Sequence, residues 1–342
     1  MLSQDPVVII GGGFAGIFTA RELLRKGVSV ALVSDENYFT FTPLLHEVAT
    51  GSLLSHDIIF EYESFFHSPK FRFIRGRVEA IEREKQTVRL EGGHSLSYAY
   101  LVIATGSLTN SSRVIGAEFA YELKDVKDAV RLKRDIVAHA QDYNRHIAVS
   151  VVGGGPTGLE LVFDLDLMLR ALRKKNSAAQ YTLRIIHGSN IFCSTSATAI
   201  QVYIRRALEK AGIEMVCDAM AQEITQSEIV TTQGTFHSDV TILCAGVVPN
   251  TELFRSALTL DEKGHISVNA HLQVCEDPHI FALGDVITMN GTPVAKLAQT
   301  AVREAPVVAH NIARLMQGKN LSHRYEPNVV GMLFSLGFGD GV

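Results

Sequence analysis

Cysteine is scarce in this 342-residue chain, and its four copies are widely separated. Cys193, Cys217, Cys244 and Cys275 form no C-x-x-C or C-x4-C pair. Because cysteine-ligated metal clusters and vicinal redox disulfides need such close pairs, the spacing excludes both. We expect the four cysteines to be small buried hydrophobic residues, and the sequence predicts no metal site.

Long apolar runs, leader-like segments and basic clusters are missing as well. No stretch contains 18 consecutive apolar residues, so a transmembrane helix is not expected. Residues 1–6 contain neither a basic region nor an apolar core, so a secretory leader is not expected either. The net charge of −4, with no Lys/Arg-rich run among aromatic residues, argues against a nucleic-acid partner. The remaining composition, 46% hydrophobic and 20% charged, is that of a globular chain long enough for two domains.

The strongest pattern is VVIIGGGFAG at residues 7–16. The apolar run 7–10 predicts a buried parallel strand, which leads into Gly11, Gly13 and Gly16 in the spacing G-x-G-x-x-G and then into a helix. In a dinucleotide-binding fold, the first glycine makes the tight turn and the second lets a pyrophosphate approach the backbone. The third lets the helix pack on the strand, and the helix N-terminus favours the anion. A second strand is predicted over residues 28–33.

The same pattern occurs a second time. The apolar run 147–152 predicts a strand, and it leads into Gly153, Gly155 and Gly158, again with the spacing G-x-G-x-x-G. A helix is predicted over 159–172 and the matching second strand over 183–186. Two dinucleotide sites in one chain are much harder to obtain by chance than one, so we interpret this duplication as the organising feature of the chain. Two dinucleotides bound side by side indicate a protein that transfers electrons between them.

Other segments are assigned from their local patterns. Residues 71–81 and 87–90 predict strands of a meander, with a hairpin turn at Gly92-Gly93. A helix is predicted over 125–143, and its expected apolar face consists of Val126, Ala129, Val130, Ile136 and Val137. Further strands are expected at 100–104, 240–245 and 280–283, and a helix at 295–316. The apolar run 329–338 is too short to span a bilayer, so we expect either a strand or an interfacial segment there.

Several motifs follow one another in a characteristic order: GGGFAG at 11–16, ATGS at 104–107, GGGPTGLE at 153–160, CAGVVPN at 244–250 and FALGD at 281–285. Together they resemble the two-dinucleotide-binding-domain flavoproteins of the pyridine nucleotide-disulfide oxidoreductase superfamily. The resemblance implies an α/β fold with two Rossmann-like domains, the NAD(P) domain inserted into the FAD domain. Residues 1–115 and 255–320 would form the FAD domain and 116–254 the NAD(P)H domain. Residues 321–342 would begin a C-terminal domain.

Within that superfamily, three further segments are similar to the type II NADH:quinone oxidoreductases. They are FTPLLHEVATGSL at 41–53, AQTAVREA at 298–305 and GMLFSLG at 331–337. Disulfide reductases of the superfamily carry a redox cysteine pair in the loop after the first unit. This chain has Thr42-Pro43 there, so disulfide reduction is excluded.

The resemblance implies a non-covalent FAD in the first domain. Gly11, Gly13 and Gly16 would hold its pyrophosphate, and Asp285, after Gly284, would bind the ribitol, although a cap or turn role is the alternative for Asp285. The helix that opens near Lys296 would direct its N-terminus at the flavin, which stabilises the anion formed on reduction. The other FAD contacts implied are Ser34 or Asp35 at the ribose, with Pro43, Leu44, Val78, Thr105, Gly106 and Ala298. Gln299 and Lys296 are candidate contacts to a quinone or to the flavin carbonyls, and a surface role for Lys296 is the alternative.

For the nicotinamide cofactor, Gly153, Gly155 and Gly158 would bind the pyrophosphate, with Gly246 nearby. Glu160 would lie beside the nicotinamide and orient its carboxamide, the alternative being a surface carboxylate. The chain departs from the family at both ribose positions. Ser34 stands where an acid is usual, with Asp35 next to it, and His187 stands where NADH-specific members have an acid. Because that acid repels a 2′-phosphate and His187 could pair with one, NADPH is as plausible a donor as NADH.

The sequence therefore predicts an FAD-containing NAD(P)H dehydrogenase that transfers a hydride from nicotinamide to flavin and two electrons to a quinone. The alternatives are a reductase of ferredoxin or rubredoxin, a sulfide:quinone reductase, which would need cysteines beside the flavin, and a flavin-binding regulatory protein without turnover. We expect a cytoplasmic location at the inner face of the cytoplasmic membrane. Peripheral attachment would use residues after 329 or a family region beyond Val342. A homodimer is a further expectation.

Overall fold

The computed structural model describes residues 5–140, 146–175, 180–194, 196–331, 333–337 and 341. The chain forms two compact units. Unit 1 contains Met1–Thr40, Ile59–Leu108 and Val248–Val330. Unit 2 contains Phe41–Ile58, Thr109–Val247 and Gly331–Val342, so it includes the segment that carries the FTPLLHEVATGSL motif.

Helices and strands alternate along much of the chain, as in an α/β fold. The helices are α1 Phe14–Arg25, α2 Leu45–Thr50, α3 Tyr62–Phe65, α4 Val126–Ala140, α5 Pro156–Lys175, α6 Thr198–Ala211 and α7 Ala298–Leu315. The strands before α4 are β1 Val7–Ile10, β2 Val30–Ser34, β3 Tyr38–Thr40, β4 Ile59–Glu61, β5 Phe71–Arg75, β6 Val78–Glu82, β7 Thr87–Leu90, β8 Ser95–Ser97, β9 Tyr100–Ile103 and β10 Ser107–Thr109. The strands that follow are β11 His146–Val152, β12 Gln180–Ile186, β13 Glu214–Val216, β14 Ala221–Ile224, β15 Glu228–Thr231, β16 Gly234–His237, β17 Val240–Leu243, β18 Val247–Pro249, β19 Ile266–Val268, β20 Ile280–Ala282, β21 Ile287–Met289 and β22 Thr292–Pro293.

Unit 1 is built on a five-stranded parallel sheet with the order β20-β9-β1-β2-β5. Its central strand β1 is fully buried because Val7, Val8, Ile9 and Ile10 are all apolar, as expected for a parallel strand covered on both faces. Helix α1 packs on β1 and β2 and against α7. The strand order reverses beside β1, so the carboxyl ends of β1 and β9 flank the crevice where open α/β sheets bind ligands.

Unit 2 is built on a four-stranded parallel sheet with the order β13-β12-β11-β17. Here the strand order reverses at β11, which lies between β12 and β17 in the sheet. A three-stranded antiparallel sheet, β14-β15-β16, completes the unit together with α2, α4, α5 and α6. Each unit therefore has its own topological switch point at the end of its central strand. This confirms the predicted α/β class with two Rossmann-like folds.

Most elements predicted from periodicity are present, but one segment was assigned wrongly. Residues 71–81 do not form a single meander strand: β5 is an edge strand of the parallel sheet, and β6 begins a separate antiparallel sheet with β7 and β8. Gly76 and Arg77 separate the two strands. The predicted turn at Gly92-Gly93 is confirmed, since both residues have positive φ and lie between β7 and β8.

The long helix α4 of unit 2 is also close to its prediction, but its buried face differs. α4 covers Val126–Ala140, and the end of the predicted span lies outside the described residues. Val130 is exposed rather than part of the apolar face, whereas Leu132 is fully buried. In the run 329–338, the described residues form no regular strand, only an isolated bridge from Ser335 to Gly341.

The expectation of four buried cysteines is wrong in part. Cys193 is buried, Cys217 and Cys244 are half-buried, and Cys275 is exposed. All four are free thiols. Within the described ranges, no cluster of three or more potential ligands could hold a metal ion, and no helix is long and apolar enough to cross a membrane.

Candidate functional site

The first glycine loop connects β1 to α1 at the switch point of unit 1. Gly11 has φ +104°, and a Cβ there would overlap the carbonyl oxygen of Ala104 at the end of β9. A Cβ at Gly16 would overlap the carbonyl oxygen of Gly11. At Gly13, by contrast, a Cβ would meet nothing within 4 Å. Two glycines are thus required by packing, and the middle one leaves open space before the helix.

The second glycine loop repeats this geometry at the switch point of unit 2. Gly153 has φ +123°, and a Cβ there would overlap the carbonyl oxygen of Cys244 at the end of β17. A Cβ at Gly158 would overlap the carbonyl oxygen of Gly153, and a Cβ at Gly155 would meet nothing within 4 Å. The two loops therefore have the same close approaches and the same open position. The duplication seen in the sequence is a duplication of the site itself.

The open position of each loop fits the pyrophosphate of a dinucleotide. Gly13 is the N-cap of α1, with no side-chain cap and no acidic residue in the first turn. The first turn of α5 also contains no acidic residue. Because free N–H groups and the helix dipole attract anions at such an end, each loop has the chemistry that a pyrophosphate needs.

The ATGS segment of unit 1 is fixed by the asparagine of the CAGVVPN motif. The Thr105 hydroxyl donates to the Asn250 carbonyl (2.6 Å), and the Asn250 amide N–H donates to the Gly106 carbonyl (2.9 Å). The Asn250 side chain also donates to the Thr105 carbonyl (3.4 Å). This segment leaves the end of β9, directly across the switch point from Gly11. Thr105 and Gly106 are therefore held at the position from which a dinucleotide in unit 1 could be contacted.

Asp285 lies at the end of β20, in a short 3-10 turn that covers Gly284–Val286. The Ser107 hydroxyl donates to its carboxylate (Oγ to Oδ2, 2.6 Å). Gly284 has φ +80°, and a Cβ there would lie 3.2 Å from the Cβ of Ala15 in α1. The turn is therefore packed against the start of α1, and it presents a half-buried carboxylate beside the first loop.

Helix α7 begins at Ala298 without a side-chain cap and without an acid in its first turn. Lys296 precedes it, and its ammonium donates to the Ile287 carbonyl (2.7 Å). Burial lowers the pKa of Lys296, although the charges of Asp285 and Glu304 oppose this effect. The Gln299 side-chain oxygen accepts the Val330 amide N–H (3.0 Å). Lys296 is thus half-buried and bonded, which is not the free surface lysine that was the alternative.

The predicted ribose position of unit 1 has a hydroxyl network at Ser34, where the family usually has an acid. The Tyr62 hydroxyl donates to the Gly12 carbonyl (3.1 Å) and is also hydrogen-bonded to Ser34. Burial raises the pKa of Tyr62 to about 12, so the phenol stays protonated. Asp35 is exposed, and the half-buried Glu36 next to it lies 3.8 Å from the Arg75 guanidinium. Two acids therefore follow Ser34 within reach of the end of β2.

The predicted ribose position of unit 2 has a histidine whose two ring nitrogens both have hydrogen-bond partners. His187 Nδ1 accepts the Gly154 amide N–H (3.1 Å), and Nε2 is 3.2 Å from the Ile191 carbonyl. The accepting Nδ1 must be unprotonated, so Nε2 carries the proton and the ring is neutral. Burial lowers the pKa of His187, which also favours the neutral ring. An ion pair with a 2′-phosphate would require this histidine to become charged and to give up Gly154.

Glu160 belongs to a buried cluster of unit 2 that the sequence did not predict. His46 Nδ1 lies 2.7 Å from Asp164 Oδ2, and His46 Nε2 lies 3.8 Å from Glu160 Oε2. The Ser335 amide N–H donates to Glu160 Oε1 (3.4 Å). Only 5% of His46 and 6% of Asp164 is exposed, so these charges interact with little screening by water.

Two groups of this cluster have a raised pKa. Burial alone would lower the pKa of His46, but the hydrogen bond to Asp164 and the charges of Glu160 and Asp164 outweigh burial, so the pKa is raised. Burial raises the pKa of Glu160 against the opposing effect of the His46 charge. Glu160 is therefore a half-buried carboxyl group that faces His46, rather than an exposed surface carboxylate. Its contact with the nicotinamide stays a prediction.

The other predicted cofactor residues are scattered over both units. Val78 is buried and starts β6, and Ala298 is half-buried at the start of α7. In unit 2, Pro43 is exposed, Leu44 is half-buried, and Gly246 has φ +91° with its carbonyl accepting the Asn110 amide N–H. Their cofactor contacts stay predictions.

Sequence reasoning missed four side chains of these sites: Ser107, His46, Asp164 and Glu304. Ser107, His46 and Glu304 lie inside the motifs ATGS, FTPLLHEVATGSL and AQTAVREA. In each motif, other residues were predicted to contact a cofactor. Asp164 follows Glu160 by four residues, which puts both on one face of α5. That spacing was the available signal for Asp164, whereas the partner of His46 lies 118 residues away.

Comparison with known proteins agrees with this geometry. The chain matches the family model described as pyridine nucleotide-disulphide oxidoreductase over residues 5–305, and it belongs to that family. It is 28% identical over 353 residues to Ferroptosis suppressor protein 1 of Xenopus laevis, covering 98% of this chain and 87% of that protein. It is also 28% identical to the type II NADH:quinone oxidoreductase of Haemophilus influenzae, covering 96% of this chain and 84% of that protein. The structure of NDH2 from Plasmodium falciparum in complex with NADH is similar in fold, with a TM-score of 0.87 at 19% identity, covering 99% of this chain and 89% of that one.

Proposed function

We propose that this protein is an FAD-dependent NAD(P)H dehydrogenase that passes a hydride from nicotinamide to flavin and two electrons on to a quinone. The observation that carries the proposal is the pair of glycine loops with the same close approaches and the same open position at Gly13 and Gly155. Membership of the family, and near full-length similarity to a relative named as an NADH:quinone oxidoreductase, support the same reaction.

The residues of unit 1 would hold the flavin dinucleotide. The loop around Gly13 and the N-terminus of α1 would bind its pyrophosphate, with Thr105 and Gly106 facing them across the switch point. Asp285, oriented by Ser107, would accept hydrogen bonds from the ribitol hydroxyls. When bound, the flavin supplies the redox chemistry, since it accepts a hydride and returns electrons. The protein contributes binding, orientation and electrostatics.

The residues of unit 2 would hold the nicotinamide dinucleotide. Gly155 and the N-terminus of α5 would bind the pyrophosphate, and Glu160 would orient the carboxamide. The overall reaction, NAD(P)H + H⁺ + quinone → NAD(P)⁺ + quinol, consumes one proton besides the hydride. His46 and Glu160 are 3.8 Å apart and both have a raised pKa. Each of the two groups therefore keeps its proton to a higher pH than an exposed side chain of its type would.

Donor choice follows from the neutral His187. A neutral ring neither repels a 2′-phosphate, as the usual acid would, nor attracts it as a cation would. We therefore propose that NADH and NADPH are both accepted. A difference of more than tenfold in kcat/KM between the two donors would contradict this.

Attachment to a membrane and assembly are further parts of the proposal. Quinones are lipophilic, and the side chains of Val329, Val330 and Leu333 are 44%, 73% and 89% exposed. We propose that this segment contributes to peripheral attachment at the inner face of the cytoplasmic membrane. The homodimer stays a prediction.

The test is an anaerobic visible spectrum titrated first with NADH and then with NADPH. The proposal expects a flavin band at about 450 nm that each donor bleaches and that a soluble quinone restores. Restoration by ferredoxin or rubredoxin but not by quinone would favour the alternative reductase. A flavin band that neither donor bleaches would show a binding protein without turnover.

A further inference from the structure

Glu304 is a carboxyl group in the interior of unit 1, and its surroundings suit the uncharged acid. It lies two turns into α7 and is completely buried. Its Oε2 accepts the amide N–H of Gly284 (2.6 Å). Its Oε1 has no hydrogen-bond partner in the described part of the chain. The ion pairs there include none to Glu304, so no cation contacts it directly.

Three titratable groups face Glu304 from the elements packed around it. Lys296 precedes α7, Asp285 lies in the turn after β20, and Tyr325 lies in the segment beyond α7. Lys296 is the one cation among them, and it donates to the Ile287 carbonyl rather than to Glu304. A buried carboxylate with one hydrogen bond and no contacting cation is strongly disfavoured, so it takes up a proton. In agreement, burial raises the pKa of Glu304 to about 8, against opposing effects of Gly284 and Lys296.

The turn that Glu304 holds is the one that presents Asp285. Gly284 has φ +80° and is packed between two helices, since a Cβ there would lie 3.2 Å from the Cβ of Ala15 in α1 and 3.8 Å from that of Ala301 in α7. The hydrogen bond from Gly284 to Glu304 ties this turn to α7. Asp285 follows immediately and is fixed by Ser107. A negative charge on Glu304 would therefore lie close to the negative charge of Asp285. Repulsion between the two would disturb the turn that presents Asp285 to the ribitol.

We infer that Glu304 is a positioning residue for the bound flavin dinucleotide, and that it fixes the Gly284–Asp285 turn as an uncharged acid. Flavin affinity then depends on Glu304 keeping its proton. The inference rests on the proposed flavin site of unit 1 and on no property of the donor or the acceptor. Because the bound dinucleotide adds negative charge near Glu304, cofactor binding and loss of that proton oppose each other.

The test measures FAD affinity of the reconstituted apoprotein from pH 6 to pH 9.5, by quenching of flavin fluorescence. For the wild-type protein, one linked proton predicts constant affinity at low pH and a fall of about tenfold per pH unit above about pH 8. E304Q keeps the size of the side chain and an acceptor for Gly284 but cannot ionise. It should bind FAD as tightly as the wild type at pH 6, with no fall at high pH. The same flavin is present in both proteins, so E304Q also controls for ionisation of the cofactor.

Two further variants separate positioning from general stability. E304M removes both charge and acceptor, so it should bind FAD at least tenfold more weakly at every pH, without pH dependence. D166N changes another buried acid, which lies in unit 2 and is paired with Arg170, and it should keep the wild-type pH profile. Constant FAD affinity of the wild type across the range, or the same fall in E304Q, would overturn the inference while leaving the flavin site intact. Failure of the wild type to bind FAD at any pH would overturn the proposed function as well.

Discussion

Each glycine loop has room for one added methyl group at its open position. The structure therefore predicts that a Gly→Ala replacement there impairs the binding of one dinucleotide and leaves the other site unchanged. Gly155→Ala adds a Cβ that meets no protein atom within 4 Å, and Gly155 needs no positive φ. The variant should therefore fold normally. The added carbon would occupy the space through which the nicotinamide pyrophosphate approaches the backbone. The structure thus predicts a binding defect without a folding defect.

The size of the defect follows from the hydrogen bonds at stake. A hydrogen bond to a charged group contributes about 2 kcal/mol, which corresponds to about thirtyfold in affinity. Loss of one pyrophosphate contact should therefore raise the concentration of NADH that half-reduces the flavin by about thirtyfold, and loss of two by about a thousandfold. The assay is an anaerobic titration followed at the flavin band, with flavin content and melting temperature measured on the same sample. Both of these should match the wild type.

Two matched variants complete the design. Gly13→Ala makes the same change in unit 1, where the Cβ is equally unobstructed. It should purify with little FAD but melt as a folded protein. Gly158→Ala puts a Cβ onto the carbonyl oxygen of Gly153, so it should destabilise unit 2 itself. The reasoning is refuted if Gly155→Ala is reduced by NADH at wild-type concentrations, or if it loses FAD as readily as Gly13→Ala.

Three other predictions concern the replacement of side chains. Asp285→Ala should lose FAD during purification and Ser107→Ala should weaken its retention, since the 2.6 Å bond from Ser107 orients the carboxylate; an Asp285→Ala protein as yellow as the wild type would contradict the assignment. The raised pKa of His46 means that its charged form adds stability below about pH 6.5, and that this stability is lost as pH rises through the raised pKa. The melting temperature of the wild type should therefore exceed that of His46→Gln most at acidic pH, and a gap that widens toward alkaline pH would refute this. Replacing all four cysteines by alanine should leave quinone reduction intact, and loss of turnover without loss of FAD would point to a redox thiol.

Features that depend on neighbouring residues could be predicted from the sequence, whereas features that depend on contacts between distant residues could not. The two glycine loops could be predicted from a local pattern of apolar strand, spaced glycines and helix, although the close approaches of Gly11 to Ala104 and of Gly153 to Cys244 join residues far apart in the sequence. Asp285 was predicted from the resemblance to the family's Gly-Asp motif at the end of a short apolar strand, and its contact with the cofactor stays a prediction. Residues 71–81 were misassigned because an alternating pattern does not reveal which strand is the partner or whether the pairing is parallel. The pairing of β5 with β2 is set by the sheet, not by the segment.

The buried cluster at His46 shows why the rest could not be predicted. Nothing near His46 in the sequence indicates that Asp164, 118 residues away, lies 2.7 Å from it. The contact exists because the segment Phe41–Ile58 packs within unit 2, where α2 contacts α5. Glu304 is a similar case, since periodicity puts it on the buried face of α7 but cannot show that one oxygen has a backbone partner and that the other has none among the described residues.

These buried groups also bear on how a protein that binds two dinucleotides tells them apart. The two predicted ribose positions differ in charge, since Asp35 and Glu36 follow Ser34 after β2 whereas the neutral His187 follows β12. The loops themselves have the same geometry, so they cannot discriminate. The ionisable groups beside each loop differ as well. Unit 1 presents Asp285 with Lys296 and the uncharged Glu304, whereas unit 2 presents Glu160 with His46 and Asp164. We therefore expect these two sets of side chains to contribute to the recognition of ribitol and flavin in unit 1 and of ribose and nicotinamide in unit 2.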